Sequence, residues 1–350
     1  MKSQFLKAAA RTLVPLALVG AILAACSAQA GGPTSAPVTL RLGYFPNVTH
    51  SAAVAGVAKG IFAEKLGTNV TLEPKTFNAG PEAVEALFAG GLDATFIGPN
   101  PAINAFIKSS GQAIRIIAGA TSGGAFFVVR DGITTAEDLR GKKIATPQLG
   151  NTQDVALRAW LSDNGLTADA QGGGDVSIMP QSNSQTLETF VAGGIDGAWV
   201  PEPWATRMIN DGGGHVLVDE RDLWPDGKYV TTHLIVRTEF LNQHPDVVKR
   251  LIQGQVAATD YVNNSPAEAQ AAVVTAINQI TGTTTSPTVL ASAWANLTFT
   301  VDPIASSLQK SADEAHALGF IDTATLTGIY DLTLLNQVLG DAGRPPIAQP

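Results

Sequence analysis

The sequence predicts an α/β protein built as two similar lobes, each with a mainly parallel sheet flanked by helices, and three observations carry that prediction. The chain is 350 residues long, beyond the size at which a single hydrophobic core keeps growing. Two stretches can be laid over each other, EALFAGGLDATFIGPNP from Glu85 and ETFVAGGIDGAWVPEPW from Glu188, an offset of 103 residues. Each reads as a helix end, a Gly-Gly stop, an Asp, a short apolar strand and a proline-containing loop. A similar offset sets LGYFPNVTHSAAVAGVAKGIF from Leu42 against IATPQLGNTQDVALRAWL from Ile144, again strand, polar loop and helix. Two matched units in the same order mean more than the likeness any two strand-loop-helix units share.

The chain begins MKSQFLKAAARTLVPLALVGAILAAC, with Lys2, Lys7 and Arg11 ahead of an apolar run from Leu13 to Ala25. Charged-then-apolar order over a run too short to span a bilayer comfortably is the form of a secretory signal. Leu23-Ala24-Ala25-Cys26 resembles a bacterial lipobox, in which cleavage leaves the cysteine to carry the lipid; an ordinary signal peptide with an incidental cysteine is the alternative. Cys26 is the only cysteine, so no intramolecular disulfide is expected. Residues 1–25 are thus expected to be a signal peptide and 26–37, small and polar, a lipidated flexible tether. A net charge of −8 without a long basic run argues against nucleic acid or anionic lipid as the main partner.

Strands are expected at Leu40 to Tyr44, Val70 to Leu72 and Ala94 to Ile97, then at Lys143 to Thr146, Val176 to Met179 and Gly197 to Val200. Ligands of such sheets gather at the carboxyl ends of the strands, so the loops FPNVTHS, FNAGPE, GPNP, PQLGNTQ, PQSNSQ and PEPW are the ones to watch. The fourth is polar yet has no Lys or Arg, and runs into a helix starting close to Asn151 or Thr152, with Leu157, Trp160 and Leu161 at helical spacing. Gly150 permits the sharp turn before it. Two readings stand open here: backbone N–H groups at the helix start hold an anion, or Asn151 with Asp154 forms a self-sufficient cap.

GGAFFVVRDGI near Ala125 and VTTHLIVRTEF near Leu234 look like hinge strands crossing between lobes. They divide the chain into 38–130, the first part of lobe 1; 131–230, lobe 2; and 231–350, returning to lobe 1. The helical run HPDVVKRLIQGQVAATDYV packs Val247, Val248, Leu251, Val256 and Ala257 on one face of that return.

Taken together, LRLGYFPNVTHSAAVAGVAKGIF, AGPEAVEALFAGGLDATFIGPNP, DLRGKKIATPQLGNTQDVALRAWL and GGIDGAWVPEPW resemble the substrate-binding proteins of bacterial ABC importers for nitrate, sulfonates and taurine. The resemblance implies the periplasmic-binding-protein type II fold, an exported and lipid-anchored chain at the outer face of the cytoplasmic membrane or in the periplasm, a permease and its ATPase as partners, and a monomer. It also implies a site. Asn47, Thr49, His50 and Ser51, then Asn78, Ala79 and Gly80, then Pro99 and Asn100 would line it from lobe 1; Gly150, Asn151, Thr152 and Gln153, then Pro201, Glu202 and Trp204, from lobe 2. Glu202 either pairs with a cationic part of the ligand, bridges the lobes on closure, or is a locally satisfied turn residue. Trp199 lies within its strand and is expected in the core. His215 and His233 have no metal-ligand spacing, and neither metal nor cofactor is expected.

Two enzyme-like or regulatory alternatives lack their residues. The related thiamine-pyrimidine synthases of yeast rely on a cysteine-rich motif and metal, and the sole cysteine here sits in the export signal; nucleophile-elbow, zinc-protease and phosphate-loop motifs are missing as well. A regulator's effector domain would follow a helix-turn-helix. Within the binding class, a sulfonate, taurine or nitrate suits helix-end donors, whereas a neutral aromatic such as a pyrimidine or riboflavin suits the loop aromatics Tyr44, Phe45, Phe77 and Trp204.

Overall fold

The computed structural model describes residues 37–169 and 171–350; the expected signal peptide, Cys26 and the tether before Pro37 lie outside the described residues. In chain order the strands are β1 (Val38–Tyr44), β2 (Val70–Thr76), β3 (Ala94–Ile97), β4 (Ile114–Gly123), β5 (Ala125–Val129), β6 (Lys143–Thr146), β7 (Ser177–Pro180), β8 (Gly197–Pro201), β9 (His215–Asp219), β10 (Val230–Arg237) and β11 (Leu297–Phe299). They form a six-stranded sheet of order β11-β4-β10-β3-β1-β2 and a five-stranded sheet of order β7-β6-β8-β5-β9.

The repeat seen in the sequence is a repeat of topology. In the first sheet β1 lies between β2 and β3, parallel to both; in the second β6 lies between β7 and β8, parallel to both. An antiparallel strand closes each set, β10 beside β3 and β5 beside β8. The aspartate of each repeat has the same task. Asp93 accepts from the backbone N–H of Arg41 on β1 at 2.9 Å, and Asp196 from that of Lys143 on β6 at 2.8 Å. Each aspartate's own N–H returns a bond to the same residue's carbonyl, at 2.9 and 2.8 Å. Gly90 and Gly193, which stop the two preceding helices, both adopt left-handed backbone (φ 72° and 82°), a conformation only glycine takes without a Cβ penalty.

Cores follow from the burial of both sheet faces. On β5 alternate side chains split between two clusters. Phe127 and Val129 pack with Trp199, Leu157 and Leu161 on one side; Phe126 and Val128 pack with Phe190, Val200 and Met208 on the other. The long helices Pro245–Asn264 and Pro266–Thr281 close over the first sheet, where Val248, Leu251, Ile252 and Val273 join Leu40, Leu42 and Ile116 in one cluster.

The sheets are joined at two adjacent crossings. β5 belongs to the second sheet, so the first crossing falls at Gly123-Gly124 and not at the expected boundary of 130/131; the second runs through the turns Glu220–Leu223 and Pro225–Gly227 before β10. The expected hinge runs ending in Val-Arg are therefore β5 and β10 themselves, each inside a sheet and just after its crossing. Both glycines have positive φ (78° and 76°), and a Cβ on Gly124 would sit 2.1 Å from Leu297. The crossings are tied to each other. Thr231 donates to the Gly123 carbonyl at 2.6 Å, and the Ala125 N–H donates to the Tyr229 hydroxyl at 3.2 Å. Short, adjacent connections of this kind are where two lobes rotate about each other.

Candidate functional site

Between the sheets lies a cavity of about 30 Å³, lined from the first lobe by Phe45, Asn47, Thr49, His50, Asn78, Ala79, Gly98 and Thr231 and from the second by Asn151, Thr152, Gln153, Asn183 and Pro201. None of these side chains is Lys, Arg, Asp or Glu. Its walls are instead helix starts. The turn Val48–His50 leads into helix Ser51–Ala58, Ala79 precedes helix Gly80–Phe88, and Asn151 precedes helix Thr152–Asp163. No side chain caps any of the three.

The helix at Thr152 does not form the self-sufficient cap that its loop allowed. Asn151 has the extended backbone of an N-cap (φ −72°, ψ 167°) but makes no capping bond; its amide donates to Gln153 at 3.2 Å. Asp154 serves the preceding loop, accepting from Thr146 Oγ1 and the Gly150 N–H at 2.9 Å each, and from Arg158 at 3.1 Å. The Asp154 N–H turns back to the Asn151 carbonyl at 3.1 Å, and the N–H groups of Thr152 and Gln153 are left to whatever enters the cavity, at the positive end of a helix dipole. Thr152 Oγ1 is buried there without a partner.

His50 contributes as a neutral group. It is 3% exposed, and burial pushes its pKa down to about 3. Nδ1 accepts from the Phe45 N–H at 3.3 Å, so the ring proton sits on Nε2. Phe45 packs on the same ring, 4.5 Å between centroids. The cavity as a whole offers uncharged donors in a desolvated space, where a hydrogen bond to an anion is stronger than in water.

Of the residues expected from the sequence, Asn47, Thr49, His50, Asn78, Ala79, Asn151, Thr152, Gln153 and Pro201 meet at this cavity. The others have different roles. Ser51 bonds the Val48 carbonyl at 2.6 Å inside its own turn. Gly80 lets its helix approach Pro101, where a Cβ would sit 2.2 Å away. Pro99 opens helix Pro99–Lys108, and Asn100 in the same turn donates to the Ser311 carbonyl at 3.2 Å within the first lobe. Gly150, at φ 71°, turns the loop and faces a separate groove beside Leu149 and Phe88. Trp199 is fully buried and donates to Glu220 at 2.7 Å.

Glu202 is a bridge between lobes. It is 1% exposed, accepting from the Thr206 N–H at 3.1 Å, from Thr206 Oγ1 at 2.8 Å and, across the cleft, from Asn296 Nδ2 at 2.7 Å. Burial raises its pKa against the pull of those donors. Its carbonyl accepts from the Val48 N–H at 3.2 Å, and nearby Trp204 Nε1 donates to Asn47 Oδ1 at 2.9 Å. These three bonds hold the lobes together over the cavity.

Phe45, Gly98, Asn183 and Thr231 also line the cavity and were not among the expected residues. Asn183 lies in PQSNSQ, a loop singled out without choosing a residue. Gly98 is the neighbour of Pro99, and Phe45 was weighed only as an aromatic ligand contact. Thr231 opens a strand, where a search of post-strand loops does not look. Of the four loop aromatics, Phe45 lines this cavity, Phe77 and Trp204 an adjoining outer one, and Tyr44 lies in the first lobe's core.

The model of the NMT1-like family matches residues 34–278. The taurine-binding periplasmic protein of Escherichia coli K12 is 29% identical over 217 residues, covering 61% of this chain and 65% of that protein. Among solved structures, the periplasmic nitrate-binding protein NrtA from Synechocystis superposes with a TM-score of 0.74 at 17% identity, covering 89% of this chain and 90% of its own. The alkanesulfonate-binding protein SsuA from Xanthomonas axonopodis, bound to MOPS, gives 0.69 at 20% identity over 83% and 97%. The two-lobed periplasmic-binding-protein fold expected from the sequence is the fold observed, and the chain belongs to the NMT1-like family.

Proposed function

We propose that the protein is the extracytoplasmic solute-binding component of an ABC importer, which closes its lobes over the anionic head of a sulfonate, taurine or nitrate-like solute and delivers it to a permease and its ATPase. The observation that carries this reading is the uncapped start of helix Thr152–Asp163, facing His50 and Ala79 across a cavity lined by no Lys, Arg, Asp or Glu among the described residues. A cation-free site suits a carrier, because neutral donors hold an anion without the cost of separating a buried ion pair on release. The relatives named for taurine, nitrate and alkanesulfonate support the solute class. In this reading the chain is exported and held at the membrane through lipid on Cys26, acts as a monomer and performs no chemistry. No described helix is long and apolar enough to cross a membrane.

A neutral aromatic solute is the weaker reading. Most side chains lining the inner cavity are polar. Of the aromatics beside it, Phe45 is already packed on His50 and the Trp204 N–H is already given to Asn47. Calorimetric titration with taurine, ethanesulfonate, nitrate, bicarbonate and riboflavin, with small-angle scattering on each saturated sample, tests the proposal. Binding of at least one of the anions with compaction supports it; binding of riboflavin alone would return the site to the aromatic alternative.

A further inference from the structure

A second, outer cavity of about 360 Å³ adjoins the inner one, and Asn47, Asn78 and Asn183 line both. Asn183 comes from the second lobe and the other two from the first, so the wall the two cavities share lies in the cleft itself. An occupant whose head fills the inner space has its remaining atoms in the outer one. Phe77, Trp204 and Ile280 give the outer chamber apolar surface, and Ser184, Thr281 and Thr283 give it hydroxyls. Among the described residues, Glu82 is the one charged side chain lining either space.

Glu82 is held beside the shared wall. Its Oε2 accepts from the Asn78 N–H at 3.2 Å and from Asn78 Nδ2 at 3.5 Å, and Asn78 is one of the shared residues. Oε1 has no hydrogen bond among the described residues. The bond reaches Asn78, one residue before the N-cap Ala79, and ties the loop to the first turn of helix Gly80–Phe88; that role alone would need no ligand. Its sign is what matters. A carboxylate in a chamber adjoining an anion site repels a second negative charge and selects for a positive one. The other cleft carboxylate, Glu202, is committed to Thr206 and Asn296.

We infer that the outer chamber is a subsite for a cationic tail, that Glu82 receives it, and that the solute is therefore a zwitterion with an anionic head and an ammonium group on a short aliphatic chain. This rests on the anion-head reading above and narrows it. A bare nitrate or sulfate leaves the outer chamber unused and places its charge near Glu82 uncompensated.

The test is calorimetric titration of the protein with 2-aminoethanesulfonate and 3-aminopropanesulfonate against ethanesulfonate and propanesulfonate, in wild type, Glu82→Gln and Glu82→Lys. Glutamine keeps an acceptor for Asn78, so the bond that ties the loop to the helix survives. In wild type at least one amino form should bind about tenfold or more tightly than its plain partner, the scale of one hydrogen bond to a charged group. In Glu82→Gln that ratio should fall towards one, and in Glu82→Lys it should invert. Absence of the preference in wild type, or its survival in Glu82→Gln, overturns the inference and leaves the anion-head reading intact. Failure of all four to bind wild type overturns the sulfonate reading and the inference with it.

Discussion

Removing the Asn296 side chain tests whether the lobes are held closed by the contacts described. Asn296 follows helix Pro287–Ala295 in the first lobe, and its side chain's bond is to Glu202 Oε1 in the second, at 2.7 Å. Asn296→Ala leaves a carboxylate that is 1% exposed with its two Thr206 donors and an unfilled position where the third stood. Loss of a bond to a buried charged group costs about 1.5 to 3 kcal/mol. The bond crosses the cleft, so the cost falls on the closed form, and the closing equilibrium shifts by roughly ten- to a hundredfold. For a solute that is held only when the lobes close, the apparent dissociation constant rises by up to that factor. Titration calorimetry measures it, and scattering on the solute-free and saturated protein shows whether the closed population has dropped. Equal affinity in a folded Asn296→Ala variant would refute the reasoning. So would a loss of affinity matched by an equal loss of unfolding free energy without solute, because the bond would then stabilise the fold and not the closure.

Two further perturbations read other parts of the site. Gly98 has unstrained backbone (φ −72°), yet an added Cβ would lie 2.5 Å from Thr152 Oγ1 in the opposite lobe. Gly98→Ala should fold normally but bind roughly tenfold or more weakly, overpacking being worth about 1 to 3 kcal/mol; Thr152→Ala in the same chain should restore part of the loss, and calorimetry on the pair checks it. Glu220, in the second crossing, is pushed up to about 7, chiefly by burial. A carboxyl with a raised folded pKa contributes stability below its unfolded value near 4.5 and loses it as pH rises through about 7, a change of about 3 kcal/mol at most. Urea unfolding from pH 4.5 to 7.5 should therefore show Glu220→Gln gaining on wild type as pH rises. His50 and His233, both pushed down to about 3 by burial, act in the opposite sense, losing stability as pH falls below 6.5, and they do so equally in both proteins.

The fold was legible in the sequence because its signals are local and repeated. The Gly-Gly stops at Gly90 and Gly193, the aspartates at Asp93 and Asp196 and the apolar strands behind them recur in order, and each pair has the same structural task. The hinge was read less well. AFFVV is as apolar as any crossing strand, and nothing local says that it pairs with β8 and β9; the signal for the crossing was the Gly123-Gly124 pair just before it. The site was legible where helix starts follow strands, at Asn47 to His50, Asn78 and Ala79, and Asn151 to Gln153. It was illegible where role depends on a partner distant in the chain. Glu202 could be assigned only once Asn296, 94 positions later, was known to face it. Glu82 ends the loop FNAGPE, and its role depends on a chamber made partly by residues 280–283.

The claim that neutral backbone donors hold an anionic head is tested most directly at Thr152. Proline is tolerated at the first helical position, where it deletes one N–H and leaves the helix in place, and the extended Asn151 before it already has the backbone that proline requires. Thr152→Val deletes only the hydroxyl. Titration of the three proteins with the tightest-binding sulfonate should show Thr152→Pro weakened by roughly ten- to a hundredfold relative to Thr152→Val, as expected for a lost bond to a charged group. A folded Thr152→Pro variant that binds as tightly as Thr152→Val would contradict the account, because the helix start would then not be what holds the anion.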